Sequence, residues 1–182
     1  PICPIGDCHS YQNVAYDSIA EVIEDVTHSR YADAVENSIF KPIGMVTASI
    51  GRAGLENSRS WARPHSNSSR TPGPPSKKIV NDDYYKVPAA GGVNGSIRDL
   101  ALYARAHMGL LPDILSESAL DMLQTPRIYT RREQSGMSRR YQGTVRDARY
   151  ALGWRVYKYG EPGYRVVGHR GAVEGYRSYI LF

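Results

Sequence analysis

Metal, membrane and nucleotide signatures are all sparse or missing in this chain. It holds two cysteines in 182 residues, Cys3 and Cys8, with His9 beside them. A zinc site needs more ligands at recognisable spacing, so no metal is expected. In an oxidising compartment the pair would close a short disulfide loop, and in a reducing one both would stay thiols. No apolar run approaches the ~20 residues of a bilayer span, and nothing reads as a signal peptide. A Gly-x-x-x-x-Gly-Lys pattern is missing too, so Pro88-Ala-Ala-Gly-Gly-Val-Asn-Gly95 reads as a packing turn ahead of a helix rather than a phosphate cradle. No cofactor is expected. The chain shows no internal repeat.

The formal net charge is +5, and much of the excess falls in Arg127, Arg131, Arg132, Arg139, Arg140, Arg146, Arg149 and Arg155. A basic stretch with tyrosines attracts phosphates through charge, but no nucleic-acid motif accompanies it. The expectation is a solvated basic loop and no nucleic-acid partner, with a nucleic-acid-binding domain kept as the second alternative.

A polar run, Gly6-Asp-Cys-His-Ser-Tyr-Gln-Asn13, leads into a helical stripe of Ile19, Val22, Ile23 and Val26, expected to face a core. In an extended segment, side chains at i and i+2 share a face. The phenol of Tyr11 and the carboxamide of Asn13 could then serve one cleft. A second helix is expected from Arg30 to Phe40, stopped by Lys41-Pro42 and Gly44. Residues 47–86, rich in Ser, Arg, Gly and Pro, read as a long loop or insertion within one domain.

Ser96 is placed to cap the next helix with Asp99 as its partner, and Ile97, Leu100, Ala101, Ala104 and Met108 form the expected inner stripe. A short helix follows Ser116 and ends at Pro126. Three strand-like runs close the chain: 150–159, 164–168 and 176–182. Helices first and antiparallel strands last indicate an α+β arrangement.

Taken together, Tyr11-Gln12-Asn13 before a helix, Ile39-Phe-Lys-Pro-Ile-Gly-Met45, Pro88-Ala-Ala-Gly-Gly92 with Ser96-Ile-Arg-Asp-Leu100, Leu152-Gly-Trp154 and Gly168-His-Arg-Gly171 followed by Gly175 resemble the serine β-lactamase, penicillin-binding-protein and esterase superfamily, nearest its class C-like branch. The resemblance spans nearly the whole chain and implies a partial β-lactamase/transpeptidase-like fold. It also implies a serine hydrolase acting on a lactam, peptide-amide or ester carbonyl through an acyl-enzyme. The alternative is a non-catalytic homologue that binds peptides or cell-wall fragments.

In that family the nucleophile belongs to a Ser-x-x-Lys helix upstream of Tyr-x-Asn. Almost nothing precedes Tyr11 here, so residues 1–182 are expected to be a single, truncated domain. Alone, it should be inactive, with the N-terminal part of the same fold as a missing partner. Ser38-Ile-Phe-Lys41 fits the pattern but lies downstream of Tyr11 and runs into a proline, which makes it a decoy.

The resemblance casts Tyr11 as the general acid/base and Asn13, His169 and Gly171 as substrate-binding residues. A serine hydroxyl needs a base to take its proton, and a phenol that relays protons needs nearby cations. His169-Arg170-Gly171 stands where the family often has Lys-Thr-Gly. An ordinary histidine loses its charge near pH ~6.5, so the grip of His169 on a substrate carboxylate is expected to fade between about pH 6 and pH 8. The resemblance further implies a periplasmic or secreted protein with a small-molecule or peptide substrate. The strand at 176–182 is expected to offer an edge for self-association.

Overall fold

The computed structural model describes residues 3–4, 6–66 and 73–182. They form two compact units, one built from Pro1–Tyr11, Ala104–Arg170 and Tyr179–Phe182, the other from Gln12–Tyr103 and Gly171–Ser178. The helices and the C-terminal antiparallel sheet make up the expected α+β fold.

In the second unit, Gln12 is extended (φ −145°, ψ 106°) and leads into α1 (Asn13–Asp17). Helix α2 (Ile19–Thr27) follows. Its expected inner stripe is corrected by burial. Ala20 is buried, whereas Ile19, Val22 and Val26 are 44%, 52% and 75% exposed. Helix α3 (Tyr31–Val35) begins where the Glu24 carboxylate accepts the Tyr31 N–H at 2.7 Å, satisfying a donor that the first turn leaves open.

The helix then widens into a π-turn over Glu36–Phe40 before the short α4 (Lys41–Ile43). Pro42 has no N–H to give the preceding turn, a local loss that such a turn accommodates. Gly44, at φ 84°, closes it in the left-handed conformation typical of a helix end.

The 47–86 stretch contains short pieces: β1 (Ser49–Ile50), α5 (Arg52–Glu56), β2 (His65–Ser66), β3 (Ser76–Lys77) and a 3₁₀ turn at Tyr84–Lys86. Helix α6 (Pro88–Gly91) and β4 (Val93–Asn94) follow, β4 pairing with β1. The 67–72 part of the expected loop lies outside the described residues.

The cap of α7 (Ile97–His107) takes the reciprocal form expected of Ser96 and Asp99. The Ser96 N–H donates to Asp99 at 2.8 Å, and the Asp99 N–H donates back to Ser96 Oγ at 3.3 Å. Thr47 also donates to the Asp99 carboxylate from outside the helix, and Asp99 is 2% exposed. Asp99, Ala106 and His107 are buried, while Ile97 and Met108 are exposed. The apolar stripe expected on the neighbouring face is corrected by about one residue.

The first unit carries α8 (Glu117–Gln124), capped by Ser116, and most residues of the sheet. Strands β5 (Ile128–Tyr129), β6 (Val145–Tyr150), β7 (Arg155–Tyr159), β8 (Tyr164–Val173) and β9 (Tyr176–Leu181) lie in that spatial order. The expected solvated loop between Arg127 and Arg149 is instead largely α9 (Arg131–Tyr141) and β6. Met137 of α9 packs with Ala148 and Tyr157, which orders the segment despite its charge.

Strand β6 bulges between Arg146 and Arg149, where Asp147 adopts φ 52°. Two residues then oppose one partner residue, which breaks the ladder. Gln134 of α9 repairs the break: its Oε1 accepts the Ala148 N–H at 2.8 Å, and its Nε2 donates to the Val145 carbonyl at 3.3 Å. Gln134→Ala would strip these partners from backbone next to the buried Ala148. A loss of about 1–3 kcal/mol is expected, read as a lower urea midpoint at unchanged slope.

Candidate active site

Cys3 and Cys8 are joined by a disulfide, and the chain leads from it through His9 to Tyr11. The His9 ring lies 4.4 Å from that of Tyr150, at the end of β6. Tyr11, 53% exposed, stacks at 6.0 Å on the ring of His169 in β8 and meets Tyr150 edge-on at 6.4 Å. The Tyr150 hydroxyl and His169 Nε2 are 3.2 Å apart. The structure thus gathers two phenols and two imidazoles within the first unit.

Beneath them lies a charged pair. Arg155, the first residue of β7, forms an ion pair with Glu133 of α9, their side chains only 12% and 11% exposed. Glu133 also accepts the Tyr157 hydroxyl at 2.6 Å. Burial pushes the Tyr157 phenol up to about 12, consistent with a donor that keeps its proton. The Arg155 guanidinium is 5.7 Å from the Tyr11 ring centre and 5.3 Å from that of Tyr150.

These surroundings determine the charge of His169. Burial, reinforced by the Arg155 charge, lowers its pKa to about 4. His9 is shifted downward by the same two causes in the same order. His169 is therefore neutral through the physiological range, and the expectation that it titrates between pH 6 and pH 8 is corrected. His107, packed at 4.7 Å against Trp154, is lowered to about 4 by burial alone.

The sign for stability follows. An unfolded histidine binds its proton near pH ~6.5, while folded His107 and His169 resist protonation down to about 4. Between those values the unfolded chain binds more protons, so stability should be full above pH ~6.5 and fall as pH drops toward ~4. Urea midpoints across that interval should show the loss, and His169→Asn should make it shallower.

The other residues named from the sequence lie in the second unit. Asn13 opens α1. At Gly171 a Cβ would meet Ser178 Oγ, the movable end of a side chain, with Ser178 Cβ 3.7 Å away. Gly175, at φ 97°, would place a Cβ 2.7 Å from the His65 carbonyl oxygen. Lys41 Nζ bonds Asn37 Oδ1 at 2.8 Å and pairs with Glu36 at 3.1 Å. It is thus held as a surface cation by groups other than Ser38.

Sequence reasoning missed Tyr150, Arg155 and Glu133 as members of this cluster. In the sequence Arg155 reads as one of the solvated charges, and its one signal is its position directly after Leu152-Gly-Trp154.

The Beta-lactamase family model matches residues 1–182. The chain belongs to the Beta-lactamase family. This Beta-lactamase-family chain is 24% identical over 181 residues to Unguisins hydrolase ungD' of Aspergillus campestris (strain IBT 28561), covering 97% of the chain and 31% of that protein. Its fold matches the octameric penicillin-binding protein homologue from Pyrococcus abyssi with a TM-score of 0.79 at 22% identity, covering 97% of the chain and 36% of that structure. A D-stereospecific amidohydrolase from Streptomyces sp. matches with a TM-score of 0.69 at 26% identity, covering 94% and 46%. The chain therefore spans less than half the length of each of these relatives.

Proposed function

We propose that the protein containing this chain is a serine hydrolase that opens an amide, ester or lactam carbonyl through an acyl-enzyme. The observation that carries the reading is Tyr11 stacked on His169, whose Nε2 meets the Tyr150 hydroxyl. Tyr11 passes the proton between nucleophile and leaving group. His169, neutral near pH 7, serves the substrate as a hydrogen-bond partner rather than as a cation. The family resemblance assigns Asn13 a carboxamide contact to the substrate amide and Gly171 a place where the substrate lies close to the backbone. Membership of the Beta-lactamase family and the hydrolase and amidohydrolase relatives support this chemistry. Substrates are a small molecule or a peptide.

An exported setting, periplasmic or secreted, agrees with the Cys3–Cys8 disulfide. Strand β9, last in its sheet, is proposed as an edge for self-association or for pairing with further chain of the same fold.

The reading is tested by assaying the protein with a chromogenic lactam, a D-aminoacyl amide and short esters with and without a carboxylate. Hydrolysis of at least one is expected. The KM of the carboxylate ester should run parallel to that of the neutral ester between pH 6 and pH 8, because His169 has no charge to lose there. His169→Lys should lower the KM of the carboxylate ester selectively. No turnover of any substrate would sink the hydrolase reading, and a KM rising with pH for the carboxylate ester alone would sink the neutral role of His169.

A further inference from the structure

A phenol that hands on a proton develops negative charge and needs a fixed cation close by. Among the described residues, the cation in contact with the Tyr11 ring is Arg155, at 5.7 Å. Three features set it apart from the surface arginines. Its side chain is only 12% exposed, it is anchored by Glu133 from another element, and Tyr157 in turn holds Glu133 in place. The guanidinium also faces the Tyr150 ring, and the Tyr150 hydroxyl meets His169. One buried charge thus bears on both phenols and, through them, on the imidazole.

We propose that Arg155 is the positioning residue of this site: held by Glu133, it supports the Tyr11 and Tyr150 rings and supplies the standing positive charge against which Tyr11 transfers its proton. The proposal rests on the hydrolase reading for its catalytic part, but the charge and its placement are testable without turnover. The charged or titratable groups bearing on Arg155 are Glu133 from α9, Tyr157 from its own strand, Arg170 from β8, Tyr179 from β9 and Tyr11. His169 feels both Arg155 and Arg170, and His9 feels Arg155. Burial is the larger cause of the His169 depression and persists without Arg155, so removing Arg155 should relieve only part of it.

Histidine side-chain NMR titration of the 182-residue chain provides the readout. In the wild type, His169 and His107 should both titrate near 4. Arg155→Met should move His169 upward and leave His107 in place, because His107 is depressed by burial without Arg155. Arg155→Lys should return His169 toward its wild-type position. An unmoved His169 in a folded Arg155→Met chain overturns the proposal.

If both histidines shift together, the fold has been lost. The double variant Arg155→Met/Glu133→Gln, which strands no buried charge, then decides the point by the same comparison. With a turned-over substrate, Arg155→Met should lower kcat by on the order of 10–100-fold with little change in KM, and Arg155→Lys should recover most of it. Unchanged kcat overturns the catalytic part. Absence of wild-type turnover would count against the hydrolase reading alone, leaving the titration to judge Arg155.

Discussion

Tyr11→Phe is expected to lower kcat by roughly 10²–10⁴-fold, the usual worth of a positioned general acid/base, with the fold intact. The substitution removes one hydroxyl from a ring that is 53% exposed and leaves its stacking on His169 and its packing near Tyr150 available. Unfolding midpoints should therefore stay within about 0.5 kcal/mol of wild type, as for other surface changes. The comparison needs a substrate that the wild-type protein turns over, and it should include single-turnover rates so that slow product release does not mask the chemical step. Unchanged acylation with a lowered midpoint would mean that Tyr11 is a packing residue and that the proton moves elsewhere.

Glu133→Leu is expected to be the most destabilising single change, costing about 3–5 kcal/mol. The leucine would leave the Arg155 guanidinium buried without its counter-ion and the Tyr157 hydroxyl without its acceptor. Chemical denaturation of the 182-residue chain measures the loss. A double-mutant cycle with Arg155→Met should recover much of it, because an apolar pair of similar volume replaces two desolvated charges at little net cost. Additive losses in the cycle would show that the two side chains act independently and that the ion pair has no energetic content.

Much of the fold was legible in local chemistry. Ser96 and Asp99 specify their helix start through a reciprocal cap that operates within four residues, and it forms as the spacing predicts. Gly44 and Pro42 stop a helix for equally local reasons. The burial of helix faces was less legible. Ile19, Val22 and Val26 carry a clean helical period, yet they remain on the outer side of α2, since periodicity defines an apolar face without stating what covers it. On α7 the buried positions include Asp99, held by Thr47 from outside the helix, and His107, packed against Trp154.

The order of motifs from Tyr11 to Gly171, set by sequence alone, determined the family and the α+β class, because turn glycines, caps and strand alternation act over a few residues. Tertiary structure decided the charge of the candidate site. Arg155 reads in one dimension as one of eight arginines in a basic stretch, and only its burial against Glu133, a residue 22 positions earlier, makes it a fixed cation under Tyr11. His169 likewise reads as an ordinary titrating histidine until burial and that same guanidinium lower its pKa to about 4. Desolvation and Coulomb interactions depend on distance in space and on excluded water, and neither is encoded in the spacing of residues along the chain.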